Sequence, residues 1–390
     1  MGQILLLAPC YLGVGGAERY TRLFARALAT VLGPRSVAVW SYLGGPIPAE
    51  SEPSYLGAAA SRSGMWGKTR FVARAARLAR RVTLIVAGHV SVAPLASRLG
   101  RLYGVPYVVM TYGIEVWGSL PPGRRAALRK ARRVVAISRY TASRLQQDHS
   151  VAEDQITVIP PVVDPAFLSR AAAAAARPAG PPRQVLTVAR LSAREGYKGC
   201  DAVLEALARL RGTVGPVRYV IVGDGDDRPR LQALAAELGV GALVHFAGGV
   251  PDRDLAGYYE GSHLFAMPSR SGYAAGRWRG EGFGIVFIEA GAFGLPAIAG
   301  LGDGGQEAVE HEVTGFIVDG GDIEAVAGAM RRLLSDDALR LRMGQAARAR
   351  VLREFTLPRM ERQVGDLLGE LGQRRESEAD EWRREAGDHT

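Results

Sequence analysis

Two glutamates with seven residues between them carry the clearest chemical signal in this sequence. They are Glu281 and Glu289, and the intervening segment contains Gly282 and Gly284. Each glycine costs about 1 kcal/mol inside a helix, so the start of this segment favours a loop. Apolar residues at helical spacing follow, and they predict a helix from about Gly284 to Phe293. This places Glu281 in the loop before the helix and Glu289 in its second turn.

The start of this predicted helix is suited to binding an anion. The backbone N–H groups of Phe283, Gly284 and Ile285 would point out of the N-terminus without intrahelical acceptors, where an anion binds readily. A diphosphate fits this position, with one carboxylate available for sugar hydroxyls on each side. The alternative is a glycine-punctuated helix start with two solvated glutamates.

A second set of charges follows the predicted strand Gln184–Ala189. Arg190 and Lys198 flank the loop at the carboxyl end of this strand. Arginine binds a phosphate with a planar fork and lysine acts as a point charge, so the two could neutralise a diphosphate. The G-x-x-x-x-G-K-[ST] run of a P-loop is absent. The alternative is a pair of solvated loop charges.

Two further loops have weaker chemical signals. Gly15 and Gly16 precede a helix and would let the backbone approach a ligand closely, but the G-x-G-x-x-G spacing fails, which argues against a dinucleotide oxidoreductase. Asp224 and Asp226 follow a strand and resemble a metal-binding Asp-x-Asp pair, although they also suit a strand-to-helix turn with Pro229 near the first helical position. The six histidines show no paired metal spacing, and we predict no metal site.

Apolar runs of strand length alternate with helical patterns through most of the chain. This alternation predicts an α/β fold class with two doubly wound, Rossmann-like domains. Ligands bind such sheets beyond the carboxyl ends of the strands, so the two domains could face each other across a cleft. The expected strands are Gln3–Pro9, Ser36–Ser41, Val82–Ala87, Pro106–Thr111, Arg133–Ile137, Ile156–Ile159, Gln184–Ala189, Arg218–Gly223, Leu243–Phe246, His263–Met267, Pro296–Ala299 and Phe316–Val318.

An alanine- and proline-rich stretch divides the two alternating halves. It predicts a linker at 171–183, between a first domain at 1–170 and a second domain at 184–356. The C-terminal part is helical in pattern to about residue 371. Residues 373–390 are almost wholly charged or polar, and we expect this tail to be frayed or disordered.

The basic charge of the chain is concentrated in its first half. Residues 1–170 hold 22 Lys and Arg against 8 Asp and Glu, which favours an anionic partner. Aromatic-studded strands, zinc spacing and basic heptads are absent, so nucleic acid is not expected. An anionic membrane surface or a phosphorylated substrate fits better, and solvated helix faces are the alternative. The side chains concerned are Lys68, Arg70, Arg74, Arg77, Arg80, Arg81, Arg124, Arg125, Arg129, Lys130, Arg132 and Arg133.

Other features point to the cytoplasm. The cysteines, Cys10 and Cys200, suggest neither a disulfide framework nor a zinc site and fit a reducing compartment. No segment reaches the ~18 apolar residues of a membrane span, and the first strand has no basic region before it, which argues against a signal peptide. We therefore expect a cytoplasmic protein that can rest on the inner face of a membrane.

Several segments together resemble the retaining nucleotide-sugar glycosyltransferases of the GT-B fold, the large family that includes bacterial mannosyltransferases and sucrose synthases. The most specific segment runs from Glu281 to Gly300 and continues as Gly304–Val309. Residues 113–125 and 265–270 look most like the mannosyltransferases that build phosphatidylinositol mannosides. Further similar segments are Val134–Thr141, Val158–Asp164 and His245–Val250.

This resemblance implies a role for each matching position. Arg190, Lys198 and Glu281 would be the catalytic residues, with Glu281 also holding donor-sugar hydroxyls and Glu289 binding the ribose. Tyr112 stands where many relatives have a histidine that touches the donor sugar, and it can still donate one hydrogen bond. Gly16 and Glu115 would contact the acceptor, and a helix at about 357–371 would return to the first domain. The implied donor site is Gly15, Gly16, Tyr112, Arg190, Lys198, Val250, Met267, Gly282, Phe283, Gly284, Ile285 and Glu289.

The resemblance also implies the reaction. A hexose would move from GDP-mannose or a UDP-hexose to a hydroxyl of a lipid-linked, polysaccharide or small-molecule acceptor, without metal or cofactor, because preorganised cations and helix N–H groups stabilise the leaving diphosphate. Retention in this family is usually explained by front-face attack, with the leaving phosphate taking the acceptor's proton. Two other classes remain open: a sugar-nucleotide epimerase of the same fold, which needs no acceptor, and a non-catalytic nucleotide-sugar binder.

Overall fold

The chain forms two compact units in the computed structural model. The structure describes residues 3–13, 15–44, 55–174, 182–274 and 276–387, with side chains described as far as Gln373. Unit 1 comprises Met1–Ile137, Ala142–Pro160 and Leu357–Thr390, and unit 2 comprises Ser138–Thr141 and Pro161–Thr356. No helix in these described ranges is both long enough and apolar enough to cross a membrane.

The strands are short and largely buried, as expected for parallel sheets covered on both faces. In chain order they are β1 (Gln3–Cys10), β2 (Val37–Leu43), β3 (Tyr55–Ala60), β4 (Val82–Ala87), β5 (Tyr107–Thr111), β6 (Arg133–Ala136), β7 (Ile156–Val158), β8 (Arg183–Val188), β9 (Val217–Val222), β10 (Val244–Gly248), β11 (Leu264–Met267), β12 (Gly272–Ala274), β13 (Arg277–Arg279), β14 (Ala297–Gly300) and β15 (Gly315–Val318).

The helices alternate with these strands. In chain order they are α1 (Gly16–Leu32), α2 (Met65–Ala79), α3 (Ala93–Tyr103), α4 (Pro122–Arg129), α5 (Arg139–His149), α6 (Pro165–Ala173), α7 (Cys200–Leu210), α8 (Arg228–Glu237), α9 (Asp252–Glu260), α10 (Ile285–Ala292), α11 (Ile323–Ser335), α12 (Asp337–Glu354) and α13 (Leu357–Gly387). Short 3₁₀ turns lie at Glu153–Gln155, Ala193–Lys198, Gly241–Leu243 and Gly304–Glu307.

Each unit is a doubly wound parallel sheet, which confirms the predicted fold class. The sheet of unit 1 has the order β3-β2-β1-β4-β5-β6-β7, and that of unit 2 has the order β10-β9-β8-β11-β14-β15. The strand order reverses between β1 and β4 in unit 1 and between β8 and β11 in unit 2. Ligands of such sheets bind beyond the carboxyl ends of the strands at this reversal. The glycine loop, which carries Gly15 and Gly16, follows β1. The loop with Arg190 and Lys198 follows β8.

The twelve expected strands are all present, but sequence reasoning missed β3 and the β12–β13 hairpin. The β3 segment is mainly alanine and glycine, which carry little strand propensity. The antiparallel hairpin pairs only three residues on each side, too few for a periodic signal.

The unit boundaries also differ from the predicted domains. Unit 2 begins at Pro161, ten residues before the expected linker, because Phe167 of α6 packs edge-on against Tyr259 and Phe293 with ring centroids 5.5 and 5.1 Å apart. Residues 171–173 of the expected linker belong to α6, and residues 175–181 lie outside the described residues.

The C-terminal helix belongs to unit 1 and is longer than expected. It contacts α1, and Glu370 forms an ion pair of 2.8 Å with Arg133. The helix continues to Gly387, although we expected a frayed tail from residue 373. Arginine, glutamate and alanine are abundant there, and all three are strong helix formers.

Candidate active site

The loop before α10 has the conformation that the sequence predicts. The helix begins at Ile285 and ends at Ala292, with Gly284 as the N-cap in the left-handed region at φ 77°. A Cβ at Gly284 would lie 2.5 Å from the Phe287 ring, so this cap requires glycine. No described residue accepts a hydrogen bond from the backbone N–H groups of Phe283, Gly284 or Ile285. These groups are therefore available to an anion.

Lys198 lies between two carboxylates at this helix start. Its ammonium is 3.1 Å from Oε2 of Glu195 and 3.7 Å from Oε1 of Glu281, and its side chain is 17% exposed. Burial acts to lower the pKa of Lys198, but the two carboxylates outweigh it and the net shift is upward. Oε1 of Glu281 is buried and accepts no hydrogen bond from the described part of the chain. The buried ammonium is thus fixed in its charged form beside the free N–H groups of α10.

Arg190 and Lys198 are brought together by a residue that sequence reasoning missed. Glu195 accepts from Nη1 of Arg190 at 3.1 Å through Oε1, while Oε2 faces Lys198. Glu195 lies in the 3₁₀ turn Ala193–Lys198, five residues after one cation and three before the other. That spacing was its signal, because it is the only acidic residue in the loop. Arg190 remains 62% exposed, so its fork can turn toward a ligand.

Asp303, also missed from the sequence, fixes the Glu281 loop. Its Oδ2 accepts from the backbone N–H of Glu281 at 2.8 Å and from Oγ of Ser269 at 2.9 Å, and its Oδ1 accepts from the N–H of Gly305 at 2.8 Å. The side chain is fully buried. Burial raises the pKa of Asp303 to about 7, against the lowering effect of these hydrogen bonds.

The backbone beside Asp303 also approaches the loop closely. The N–H of Gly304 donates to the carbonyl of Glu281 at 2.9 Å, and a Cβ at Gly304 would lie 2.0 Å from the carbonyl oxygen of Gly282. Only glycine allows this approach. The loop that carries Glu281 is therefore held on both its N–H and its carbonyl side.

The side chain of Glu289 is less exposed than that of a residue that contacts a ligand at the surface. It is 2% exposed, and Oε2 accepts from the hydroxyl of Tyr259 at 3.0 Å. Tyr259 is itself fully buried. A buried carboxylate must be hydrogen-bonded or paired, so the tyrosine positions Glu289. Its predicted role at the ribose stays a prediction.

Val250 and Met267, two residues of the implied donor site, lie at strand ends. Val250 is partly exposed in the loop between β10 and α9. Met267 at the end of β11 is 1% exposed, so its side chain belongs to the core and only its backbone could meet a base. The hydroxyl of Ser269, two residues after Met267, donates to Asp303. Asp303 thereby links this loop to Glu281.

The Asp224 and Asp226 carboxylates serve the local turn. Oδ1 of Asp226 accepts from the backbone N–H of Ala193 at 2.8 Å, which braces the turn that carries Glu195 and Lys198. Asp224 accepts from the N–H of Gly225 at 2.9 Å, and Pro229 lies in the first turn of α8. These contacts support the turn interpretation. No group of three or more His, Cys, Asp or Glu in the described ranges is arranged to hold a metal ion.

In unit 1 the glycine loop is braced by α1. Gly15 is the N-cap of this helix and Gly16 its exposed first residue. The guanidinium of Arg22 donates to the carbonyls of Tyr11 and Gly13 at 3.0 and 3.1 Å. This shapes the loop at the carboxyl end of β1, but no contact identifies a ligand for Gly15 or Gly16.

The hydroxyl of Tyr112 is hydrogen-bonded within unit 1, and its predicted contact with the donor sugar stays a prediction. Its hydroxyl donates to the carbonyl of Gly88 at 2.7 Å and lies 2.8 Å from Oγ1 of Thr21. A phenol has one proton, so this proton is already used within unit 1. The ring lies near-parallel to that of His89, with centroids 6.0 Å apart. Burial raises the pKa of Tyr112 far above its usual value.

Glu115 braces the loop after β5. One of its carboxylate oxygens accepts from the backbone N–H of Tyr112 at 2.5 Å. Burial raises the pKa of Glu115, against the lowering effect of hydrogen bonds from the backbone N–H groups of Tyr112, Glu115 and Gly113. A carboxylate so engaged shapes the loop, and its predicted acceptor contact stays a prediction.

Most of the basic side chains singled out in the sequence are on the surface, with one clear exception. Arg133 is 6% exposed and is paired with Glu370, so the expectation that it faces a partner is wrong. The α2 cations are exposed, and at the start of this helix Met65 and Trp66 are 81% and 89% exposed. Large apolar side chains beside exposed cations are typical of membrane-surface helices.

Comparisons with known proteins identify the family of this chain. A family model described as glycosyl transferases group 1 matches residues 171–350, and one described as glycosyltransferase family 4 matches residues 14–167. The GDP-mannose-dependent alpha-(1-6)-phosphatidylinositol monomannoside mannosyltransferase of Mycobacterium tuberculosis (strain ATCC 25618 / H37Rv) is 35% identical over 288 residues, which are 71% of this chain and 73% of its own. The protein of that name from Mycolicibacterium smegmatis is 36% identical over 65% of this chain and 67% of its own.

Solved structures show the same fold. Sucrose-phosphate synthase from Thermosynechococcus elongatus superposes with a TM-score of 0.77 at 24% identity, covering 95% of this chain and 99% of that one. Anabaena HepE in complex with UDP gives a TM-score of 0.74 at 20% identity, with coverages of 94% and 100%. At such identities the likeness is one of fold.

Proposed function

The chain belongs to the group 1 glycosyltransferases of the GT-B fold, and we propose that it is a retaining, metal-independent hexosyltransferase. In this proposal unit 2 binds the nucleotide sugar. Arg190, Lys198 and the N-terminus of α10 receive the diphosphate, while Glu281 holds hydroxyls of the sugar. Gly16 and Glu115 of unit 1 remain the proposed acceptor contacts.

The observation that carries this proposal is the position of Lys198. A lysine that is only 17% exposed is costly unless it is paired, and here Glu195 and Glu281 pair it beside the free N–H groups of α10. A diphosphate leaving group would meet a cation and helix N–H groups that are already in place. Preorganised charges of this kind stabilise the charge that develops in a transition state.

The proposed chemistry needs no protein nucleophile. The bond from the sugar C1 to the diphosphate oxygen breaks, a bond from C1 to the acceptor oxygen forms on the same face, and the acceptor's proton passes to the leaving diphosphate. The cations of the site compensate the charge of the diphosphate as it departs. Glu281 serves as a positioning carboxylate, consistent with its rigid attachment to Asp303 and Gly304.

We infer GDP-mannose as the favoured donor, with a UDP-hexose as the alternative. The relatives from M. tuberculosis and M. smegmatis are named as GDP-mannose-dependent enzymes that act on a phosphatidylinositol monomannoside. Each is about a third identical to this chain, so a lipid-linked acceptor is the first class to test. A polysaccharide or small-molecule acceptor remains in the same screen.

A lipid-linked acceptor fits the basic surface of unit 1. The α2, α3 and α4 helices each connect parallel strands in the same direction across the sheet, so right-handed crossovers place them on one face. Exposed cations lie on all three helices, and Met65 and Trp66 lie at the start of α2. Each cation near an anionic leaflet contributes about 1 kcal/mol. We propose that this face rests on the membrane.

The test is a thermal-shift screen with GDP, UDP, ADP and their hexose conjugates in EDTA. A ligand at about 100 times its Kd adds about 2.7 kcal/mol of stability. We expect one nucleotide series to respond, and the response to fall in Arg190→Ala but not in Arg218→Ala, an exposed position on β9. A response only with added divalent metal would contradict metal independence. No response to any nucleotide would overturn the transferase proposal.

A second experiment separates transfer from the two alternatives. The donor that binds is incubated alone and with lipid-linked, polysaccharide and small-molecule acceptors. A new sugar nucleotide from donor alone would indicate an epimerase, and tight binding without any product would indicate a non-catalytic binder. We expect an acceptor-dependent product whose anomeric configuration matches that of the donor.

A further inference from the structure

A small cationic cavity lies beside the proposed diphosphate site in unit 2. It has a volume of about 230 Å³ and separates the β12–β13 hairpin from the 3₁₀ turn Ala193–Lys198. Its described lining residues include three arginines and two tyrosines, Arg194, Arg270, Arg279, Tyr197 and Tyr273, and no acidic residue. The donor-site roles assigned above do not use it.

The charge of this cavity is only partly neutralised. Arg270 donates to both carboxylate oxygens of Asp201 at 2.8 and 2.9 Å. Within the described residues, the guanidinium groups of Arg194 and Arg279 have no carboxylate partner, and Nε of Arg279 is buried without a hydrogen-bond acceptor. A buried donor left without an acceptor is destabilising. The cavity therefore has donors and positive charge to offer an anion.

The nearby acids are already engaged elsewhere. Glu195 faces Arg190 and Lys198, and Asp201 faces Arg270 and, at 3.8 Å, Arg230. Neither is available to neutralise Arg194 or Arg279. The positive charges of Arg194 and Arg279 are thus not neutralised by these acids and remain a property of the cavity.

The hairpin is tied to the turn that carries the donor-site cation. The guanidinium of Arg277 donates to the carbonyl of Arg194 at 3.2 Å, the N–H of Arg270 donates to the carbonyl of Tyr197 at 2.7 Å, and its guanidinium donates to that of Gly196 at 2.7 Å. These carbonyls lie in the turn that ends at Lys198. A ligand in the cavity would therefore be held at a fixed distance from the proposed diphosphate site.

We propose that this cavity binds a phosphate group of the acceptor. The proposal rests on the proposed transferase function, in which the donor's own diphosphate is already matched by Arg190, Lys198 and the start of α10. A second cationic cavity then needs a second anionic substrate group. Arginine forks suit phosphate oxygens, and the volume is below the roughly 300 Å³ of a drug-sized ligand site. A phosphate with a small polyol fits a cavity of this size.

The test is calorimetric titration of the full chain, saturated with the nucleoside diphosphate selected in the thermal screen. The probes are inorganic phosphate, glycerol 1-phosphate and glycerol, with soluble dihexanoyl phosphatidylglycerol to separate a lipid phosphodiester from a free phosphate ester. We expect glycerol 1-phosphate or the short-chain lipid to bind and glycerol not to bind. Arg279→Gln and Arg194→Gln should each weaken binding at least tenfold, Arg279→Lys should retain part of it, and Arg218→Gln should leave it unchanged.

The outcomes distinguish this inference from the function on which it rests. If the nucleoside diphosphate binds but no phosphate probe does, the phosphate site is wrong and the donor site stands. Equal weakening of phosphate binding in Arg218→Gln and Arg279→Gln would also overturn it, because binding would then depend on the net charge of the protein and not on this cavity. If no nucleotide binds, the transferase proposal fails. The same titration on the unliganded chain then still measures the binding of the phosphate probes to the cavity.

Discussion

The ammonium of Lys198 lies 3.7 Å from Oε1 of Glu281, a buried oxygen that accepts no hydrogen bond from any described residue. This pair joins the two halves of the proposed donor site, since one partner belongs to the turn after β8 and the other to the loop before α10. A diphosphate bound at the helix start would replace part of the interaction of Lys198 with its carboxylates. The pair therefore holds the cation in place until a ligand arrives.

Replacement of Lys198 should mainly affect the rate of transfer. Lysine provides charge for the leaving diphosphate, and loss of one preorganised group of this kind typically lowers kcat by about 10²–10³-fold. We expect Lys198→Ala to show such a loss, with a smaller loss of nucleoside diphosphate affinity, measured by steady-state kinetics and titration. Arg218→Ala, on the exposed surface of β9, is the control. An unchanged kcat in Lys198→Ala would remove this residue from the catalytic machinery.

Asp303 should make the stability of unit 2 depend on pH. Its pKa is raised from 3.8 to about 7 in the folded protein, so between these values the folded state keeps a proton that the unfolded state has lost. The free energy of unfolding should therefore fall as pH rises from about 4 to 7, by at most about 4 kcal/mol from this group. Urea unfolding at several pH values measures this slope.

The variant Asp303→Asn removes the titrating group and should flatten the slope over the same range. Asp319→Asn is the control, because Asp319 is an exposed residue that accepts one turn hydrogen bond from Gly321. An identical slope in wild type and Asp303→Asn would show that the carboxyl titrates near its ordinary pKa. Below pH 7 Asp303 becomes protonated, which weakens its hydrogen bond to the backbone N–H of Glu281. Activity should therefore also fall below pH 7.

The sequence was sufficient for features that depend on local pattern. Helix α10, the glycine cap at Gly284 and both parallel sheets follow from periodicity and from the cost of glycine in helices. Glu195 and Asp303 could not be found in this way, because their partners are set by how the turn after β8 and the segment after β14 approach α10. The burial of Met267 and Arg133 is likewise a property of packing, which spacing along the chain does not encode.

The hydroxyl of Tyr259 should contribute to the stability of unit 2. This buried phenol donates to Glu289 at 3.0 Å, and its removal in Tyr259→Phe leaves a buried carboxylate with one donor fewer. We expect a loss of about 1–3 kcal/mol in stability, measured by urea unfolding. Tyr258→Phe, at the neighbouring half-buried position, should have little effect.

The role of Glu289 itself can be tested with a modified nucleotide. If Glu289 accepts from ribose hydroxyls, the protein should bind the selected nucleoside diphosphate more tightly than its 2′-deoxy analogue, and Glu289→Gln should reduce this preference. A preference that persists unchanged in Glu289→Gln would mean that Glu289 only supports the core with Tyr259. The comparison is made by calorimetry on variants with matched thermal stability.

The start of α2 should anchor the protein to anionic bilayers. Trp66 is 89% exposed and Met65 is 81% exposed, and the cations of the same helix can attract an anionic surface with about 1 kcal/mol each. We expect binding to phosphatidylglycerol vesicles at low salt, a blue shift of tryptophan fluorescence, and release at high salt, where the charges are screened.

Met65→Ser/Trp66→Ser should weaken binding because insertion of the apolar side chains is lost. Leu341→Ser, a 55% exposed position on α12 of unit 2, is the control. Equal binding by the double variant and wild type would mean that charge alone holds the surface, and no binding to anionic vesicles would remove the membrane from the proposed function.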